Sequence, residues 1–220
     1  MKLKVCGMRD TENILKVAAL GVDYMGFIFY DKSPRYVGEG FELPAAFPEG
    51  IKKVGVFVNE EMENMLSIGR RLKLDYFQLH GDEPVKICQR LKEEGFGVIK
   101  VFSISEAFDF GVTEEYAAVA DFFLFDTKGK YYGGNAQVFD WGQLNKYDQQ
   151  VPFFLSGGLN PVNVLKLTSL KGMNIHALDV NSGVEVSAGM KDVAKIKELK
   201  YKVRNAGSKG QTRMNFESEL

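Results

Sequence analysis

Residues 120–141 read ADFFLFDTKGKYYGGNAQVFDW. The run 121–125 is too apolar for a surface and reads as a strand buried on both faces, the mark of a parallel sheet covered by helices. It ends on a single carboxylate, Asp126, followed over 127–138 by a polar, glycine-bearing loop that is long for a compact domain. An acid where a buried strand meets a long loop is placed for chemistry, although Asp also caps helices and opens turns.

Outward from this stretch the chain alternates in kind. Strands are expected at 3–6, 24–29, 53–58, 76–80, 98–102, 121–125, 152–155 and 177–180. Between them lie helical patterns. Ile14, Leu15 and Ala18 share a face that stops at Gly21. Residues 38–47 hold a weak, proline-interrupted helix. Asn59 caps a helix carrying Met62, Met65, Leu66, Gly69 and Leu72, and Asp82 caps one that turns Val85, Cys88 and Leu91 inward before Gly95. A poorly patterned helix falls within 105–119. Asn160 and Pro161 open another, with Val164, Leu165 and Thr168 on one face; the last, 191–203, repeats Val193, Ile196, Leu199 and Val203.

That makes eight strands and about eight helices at a regular βα spacing. Asp23-Tyr24, Asp75-Tyr76 and Asp121-Phe122 each open an even-numbered strand, an echo at twice the unit length. The fold class is therefore α/β, a single-domain (β/α)8 TIM barrel over residues 1–204, with a polar tail at 205–220 expected to be disordered. The rival, a doubly wound open sheet, lacks its G-x-G-x-x-G fingerprint at the first βα junction.

Composition excludes several functions. The 220 residues are 45% hydrophobic, enough for a sizeable core, and 28 basic against 29 acidic residues leave a net charge of -1. Nothing there draws the chain to nucleic acid or to an anionic membrane. Cys6, Cys88, His80 and His176 have no metal-ligand or disulfide spacing. The start MKLKVCGMRD has no apolar signal region, and no run approaches the roughly 18 apolar residues of a membrane span. A cytoplasmic protein, without metal or cofactor and either monomeric or homodimeric, is expected.

In such barrels function sits at the C-terminal strand ends, and phosphate binds at the loops after the seventh and eighth strands. Those loops here are Ser156-Gly157-Gly158-Leu159-Asn160 and Asn181-Ser182-Gly183-Val184-Glu185, whose glycines let backbone N–H groups approach an anion. The other strand ends offer Cys6, Lys32-Ser33-Pro34-Arg35-Tyr36, His80, Asp126 and Asp179. A thiol and a carboxylate facing each other across the mouth suit proton transfer on a phosphorylated small molecule.

The segments Lys4-Val5-Cys6-Gly7, Gly26-Phe27-Ile28-Phe29, Ser33-Pro34-Arg35-Tyr36, Val54-Gly55-Val56-Phe57-Val58-Asn59, Gln78-Leu79-His80-Gly81, Ser156-Gly157-Gly158-Leu159-Asn160-Pro161 and Asp179-Val180-Asn181-Ser182-Gly183-Val184-Glu185, in that order, resemble the phosphoribosylanthranilate isomerase family of tryptophan biosynthesis. The resemblance runs from about residue 2 to 204. It implies a cofactor-free Amadori rearrangement, with Cys6 as general base at C2 of the sugar and Asp126 as general acid at the ring oxygen. It further implies that Arg35 meets the anthranilate carboxylate, and that backbone around Gly157, Gly158, Ser182 and Gly183 cradles the phosphate. Asp179 falls in or beside the site, and His80 either lines the pocket or bonds at its strand end. The chemistry requires a partly ionised Cys6 and a partly protonated Asp126.

One stretch departs from the family. Where it reads roughly G-G-T-G-K-T-F-D-W, this chain has Gly133-Gly134-Asn135-Ala136-Gln137-Val138-Phe139-Asp140-Trp141. A lysine and a glycine are lost from a loop expected to close over an anion. The alternatives are a non-catalytic or altered-substrate phosphosugar-binding barrel. An epimerase would need metal-binding histidines, and the indole-forming enzyme of the same pathway would need lysine and glutamate at the strand ends.

Overall fold

The structure, a computed structural model, describes residues 1–127, 140–170 and 172–208. The departing loop beyond Thr127, with Asn135, Ala136 and Gln137, and residues 209–220 of the expected tail lie outside the described residues. Eight parallel strands close into a barrel: β1 (Lys2–Val5), β2 (Tyr24–Ile28), β3 (Lys52–Phe57), β4 (Tyr76–Leu79), β5 (Gly97–Ile104), β6 (Phe122–Thr127), β7 (Phe153–Leu155) and β8 (Ile175–Val180). β8 pairs back onto β1 and completes the ring. Every expected strand forms, with ends displaced by a residue or two.

Side-chain alternation divides the strands between two cores. Leu3, Val5, Phe27, Phe77, Phe123, Phe125 and Leu178 point outward to the helices. Tyr24, Val54, Ile99, Leu124, Phe154 and Ala177 fill the interior. The interior is floored by rings: Tyr24 lies edge-on to Tyr76 and Phe154, with centroids at 6.0 and 5.1 Å, and His176 packs 4.1 Å from Phe122. His176 also shares a 2.7 Å hydrogen bond with the Tyr24 hydroxyl, so it is a structural part of the floor, remote from the mouth.

The echoed aspartates have a common task. Asp23, Asp75 and Asp121 each accept the backbone N–H of the preceding odd strand through Oδ2, from Leu3 at 2.8 Å, Lys53 at 2.8 Å and Val98 at 2.7 Å. Each returns its own N–H to the carbonyl of that same residue, at 3.0, 2.9 and 2.9 Å. A charged acceptor on an otherwise unpaired N–H makes each of these a strong clasp.

The helices depart further from expectation. Among the described residues four are α-helical: α1 (Thr11–Ala18), α2 (Met62–Leu72), α3 (Val85–Glu93) and α4 (Val193–Ser208). The expected helix at 38–47 is a series of turns. Gly38 and Gly40 take left-handed φ of 91° and 69°, and Phe41 still covers the barrel wall by packing 5.4 Å from Phe27. Three further connections are 3-10 segments, Phe110–Tyr116, Trp141–Lys146 and Val164–Leu170. In the last, the tighter turn keeps Val164 and Leu170 inside and rotates Leu165 out to 47% exposure, against the shared face expected of it.

Two expected caps do not form. Asn59 takes φ 50° and accepts the Asp82 N–H at 2.8 Å, joining two loops instead of capping α2, which begins after Glu61. Asp82 leaves α3 uncapped, because the helix starts one turn on, after Pro84. α4 starts after Asp192, which accepts the Ala194 N–H at 2.9 Å, and runs through Ser208, beyond the expected end at 203. Lys191, thereby released from its start, joins a short hairpin, β9 (Glu185–Ser187) with β10 (Met190–Lys191).

Candidate active site

On β1 the inward parity that places Cys6 in the mouth also places Lys4 inside the barrel. Lys4 is fully buried, and its ammonium lies 2.8 Å from Asp179 Oδ1 on β8, its direct cross-strand partner. The same ammonium acts on the Cys6 thiol and favours its ionised form. Burial works against the Lys4 charge, but Asp179 and Cys6 together outweigh it and hold the pKa above its ordinary value. Asp179 itself is pushed up by burial, against the pull of Lys4.

Cys6 is 3% exposed and fits because its neighbour on β2 is Gly26, where a methyl group would come 2.6 Å from Sγ. Burial pushes the thiol above its usual range. Lys4 and Lys191 pull it down, and Asp179 pushes it further up. This runs opposite to the ionisation that a general base requires.

Asp126 moves the way a general acid should. Burial raises its carboxyl to about 6, and the Asp179 charge adds to that. Against burial stand the Thr127 N–H, donated to Oδ1 at 2.8 Å, a hydrogen bond from Ser156, and Lys4. His80 Nε2 lies 3.6 Å from Asp126 Oδ2 without forming an ion pair. Burial, with Lys4 and Lys100, lowers His80 to about 3, so the ring is neutral at any working pH and does not draw the Asp126 proton away. Gln78 Nε2 reaches His80 Nδ1 at 3.2 Å. The loop behind His80 is staked by a buried pair: Lys100 meets Glu83 at 2.8 Å and the Gly81 carbonyl at 2.7 Å, and Glu83 accepts the N–H of Asn59 at 2.9 Å.

Beside Asp126 opens a small polar cleft, lined by Thr127, Ser156, Gly157, Gly158, Asn181, Ser182 and Gly183 among others. Gly157 and Gly158 take φ of 91° and 65°, open to glycine. Among the described residues, the N–H groups of Gly157, Gly158 and Ser182 meet no acceptor, which leaves them to an anion. Gly183 presses against the Leu159 carbonyl so closely that a methyl would overlap it, which locks the two glycine loops together.

Arg35 stands at the opposite side of the mouth in a bidentate pair with Glu185: Nε to Oε1 at 2.9 Å and Nη2 to Oε2 at 2.7 Å. Nη1 makes no described bond to that carboxylate. Glu185 Oε1 also receives Lys191 Nζ at 2.5 Å. Burial draws Glu185 upward, yet Arg35 and Lys191 prevail and keep it below its usual range.

The structure thus gathers Cys6, His80, Asp126, Asp179, Arg35 and both glycine loops at one end of the barrel. Sequence reading gave no role to Lys4, Gly26 or Lys191, and it placed Ser156 only within a glycine loop. Lys4 carried a signal, a charge two residues from Cys6 in an otherwise apolar strand, but Lys191 looked like the first residue of a helix. Among the described residues, no group of three or more His, Cys, Asp or Glu side chains could hold a metal ion, and no helix is long and apolar enough to cross a membrane.

Fold and site together define a (β/α)8-barrel enzyme with an acid, a thiol and a glycine-walled cleft at the C-terminal strand ends. The family model for N-(5'-phosphoribosyl)anthranilate (PRA) isomerase matches residues 3–201. The chain is 44% identical over 202 residues to the N-(5'-phosphoribosyl)anthranilate isomerase of Parabacteroides distasonis, covering 90% of this chain and 91% of that one. Among solved structures it is similar to phosphoribosyl anthranilate isomerase from Thermotoga maritima, at TM-score 0.80 and 33% identity over 93% of this chain and 99% of that one. A phosphoribosyl anthranilate isomerase in complex with reduced 1-(o-carboxyphenylamino)-1-deoxyribulose 5-phosphate matches at TM-score 0.77 and 32% identity, over the same shares. The chain belongs to the N-(5'-phosphoribosyl)anthranilate isomerase family.

Proposed function

We infer that this protein isomerises N-(5'-phosphoribosyl)anthranilate to 1-(2-carboxyphenylamino)-1-deoxyribulose 5-phosphate, an aldose–ketose rearrangement in tryptophan biosynthesis. The observation that carries the assignment of roles is the meeting of Cys6 and Asp126 in one mouth beside the glycine cleft, coupled through Lys4 and Asp179.

The phosphate sits on the N–H groups of Gly157, Gly158, Ser182 and Gly183, and the anthranilate carboxylate turns toward Arg35, whose planar fork suits it. Asp126 gives its proton to the furanose ring oxygen. The C1–O bond breaks as the nitrogen lone pair forms the Schiff base. The Cys6 thiolate then takes the proton from C2, and the electrons of that C–H bond form the C1–C2 double bond while those of the C=N bond return to nitrogen. The enolamine becomes the ketone when O2 loses a proton and C1 gains one, an exchange internal to the product. Each turnover therefore leaves Asp126 ionised and Cys6 protonated, and one proton must pass back before the next.

The working form is ionised Cys6 with protonated Asp126, the reverse of what their resting tendencies favour above about pH 6. Turnover then comes from a minor protonation state, which substrate charge and the neighbouring ammoniums enrich. The test follows the loss of anthranilate fluorescence as phosphoribosylanthranilate, generated in situ, is consumed. Wild type should turn over, and Cys6→Ser and Asp126→Asn should each lose at least about a hundredfold in kcat. Well-folded wild type without turnover would overturn the reaction, and a variant with turnover intact would overturn that residue's role.

A further inference from the structure

The buried charges beside Cys6 do not balance among themselves. Lys4, Arg35 and Lys191 are cations, whereas Asp179 and Glu185 are the anions paired with them. One positive charge is in excess, and its place is Lys191. Glu185 already gives both oxygens to Arg35, and among the described residues Lys191 Nζ otherwise bonds only the Asn181 side chain, at 2.7 Å, and weakly its carbonyl. Burial accordingly lowers the ammonium to about 8, with Glu185 and Cys6 working against that fall.

Lys191 is held firmly where it stands. The Asn13 side chain on α1 makes two 2.9 Å bonds to its backbone N–H and carbonyl. Its ammonium stands at the corner where the chain leaves Cys6: a methyl on Gly7 would lie 3.3 Å from Nζ. The charged groups facing Cys6 are Lys4 on its own strand, Asp179 on β8 and Lys191 on β10. From β2 it meets Gly26 and Ile28, both uncharged, and the cluster around it is completed by Val56 and the phenol of Tyr30. Across the mouth Asp126 lies beside His80, which is neutral. Lys4 acts on Cys6 most strongly but is shared with Asp179, whose own charge opposes the thiolate, so the second ammonium that favours ionisation is that of Lys191.

We propose that Lys191 is a positioning residue for the isomerisation, its ammonium being a second counter-charge, beside Lys4, that helps Cys6 ionise in a site otherwise too dry for a thiolate. The proposal rests on Cys6 being the base. It assigns a catalytic purpose to the β9–β10 hairpin, an addition to the eight βα units: it brings one charge to the rim of β1.

The test titrates thiolate absorbance near 240 nm in wild type, with Cys6→Ser subtracted as blank, and in Lys191→Met and Lys191→Gln. Glutamine keeps a donor for Glu185 and Asn181 but carries no charge. The Cys6 midpoint should rise by at least about one pH unit in both variants, a tenfold loss of thiolate below it. Turnover at pH 7 should fall by about tenfold or more and recover as the pH is raised, which a merely structural lesion would not do. A midpoint that stays put in a folded variant, or a loss of turnover equal at every pH, overturns the proposal.

Linkage supplies a second reading that needs no Lys191 variant. In Cys6→Ser the Lys191 ammonium, followed by NMR of the lysine side chains, should lose its proton at lower pH than in wild type. An unchanged Lys191 titration overturns the coupling. Should Cys6→Ser retain turnover while the Lys191 variants still shift the thiolate, Cys6 is not the base and the catalytic half of the proposal falls alone.

Discussion

Asp126→Asn should abolish turnover and yet make the protein more stable at alkaline pH. The Asp126 carboxyl ionises near 3.8 in an unfolded chain but is raised to about 6 in the fold, chiefly by burial. The fold therefore favours the protonated form. Wild type is spared the cost below about pH 4, incurs it progressively as the pH rises through 6, and bears all of it by pH 8. A displacement of that size corresponds to roughly 3 kcal/mol, at 1.36 kcal/mol per pH unit. Asparagine remains neutral and can still accept the Thr127 N–H through its oxygen. Part of the gain is offset because Lys4 loses a nearby anion. Urea unfolding at 25 °C should show the Asp126→Asn variant and wild type alike at pH 4 and the variant ahead by about 2–3 kcal/mol at pH 8. At about 2–4 °C per kcal/mol for a chain of this size, Tm should rise by roughly 4–12 °C. A gap that is flat across pH, or a variant less stable at pH 8, would refute the view that burial sets the acid's proton affinity.

Three further outcomes follow from the same geometry. Gly26→Ala puts a methyl 2.6 Å from Cys6 Sγ and 3.1 Å from its Cα, so kcat should fall by at least about tenfold while circular dichroism stays native. In Gly183→Ala the new methyl must part the two glycine loops at the Leu159 carbonyl; isothermal titration should find product-analogue affinity reduced by about tenfold or more with the Cys6 titration unmoved. Glu83→Gln strands the buried Lys100 ammonium and should cost about 3–5 kcal/mol in chemical unfolding; a loss under about 1 kcal/mol would show that the ion pair does not hold the loop behind His80.

The barrel was legible because its strands are short apolar runs, such as 122–125, that no surface could hold, and because they recur at βα spacing. The outer layer was not, since several connections cover the wall with one or two side chains. Phe41 does so from a run of turns, and Val164 and Leu170 from a 3-10 segment, where helical periodicity has nothing to register. In the site, residues at strand ends could be read from position alone. Those that tune them could not. Lys191 meets Cys6 across 185 positions of sequence because Asn13 fixes a hairpin over the rim, and Gly26 matters only through what it leaves vacant. The direction of the Asp126 shift matched what the chemistry asks. That of Cys6 did not, because the sequence shows neither how dry the thiol is nor how its neighbours' charges offset one another.

The aspartate clasps at the barrel's base also bear on how the chain assembles as it is synthesised. Each ties an odd strand to the even strand made next, so β1–β2, β3–β4 and β5–β6 can each be fastened at one end before the following pair exists. The last pair has no such aspartate. Its base is joined by Asn174, which offers its carbonyl to Phe153 at 3.1 Å and bonds Gln149 through neutral amides at 2.8 and 3.0 Å. The two strands that finish the ring are thus fastened to each other at the base by neutral bonds, and the base of the β7–β8 seam becomes the natural place for the ring to open first.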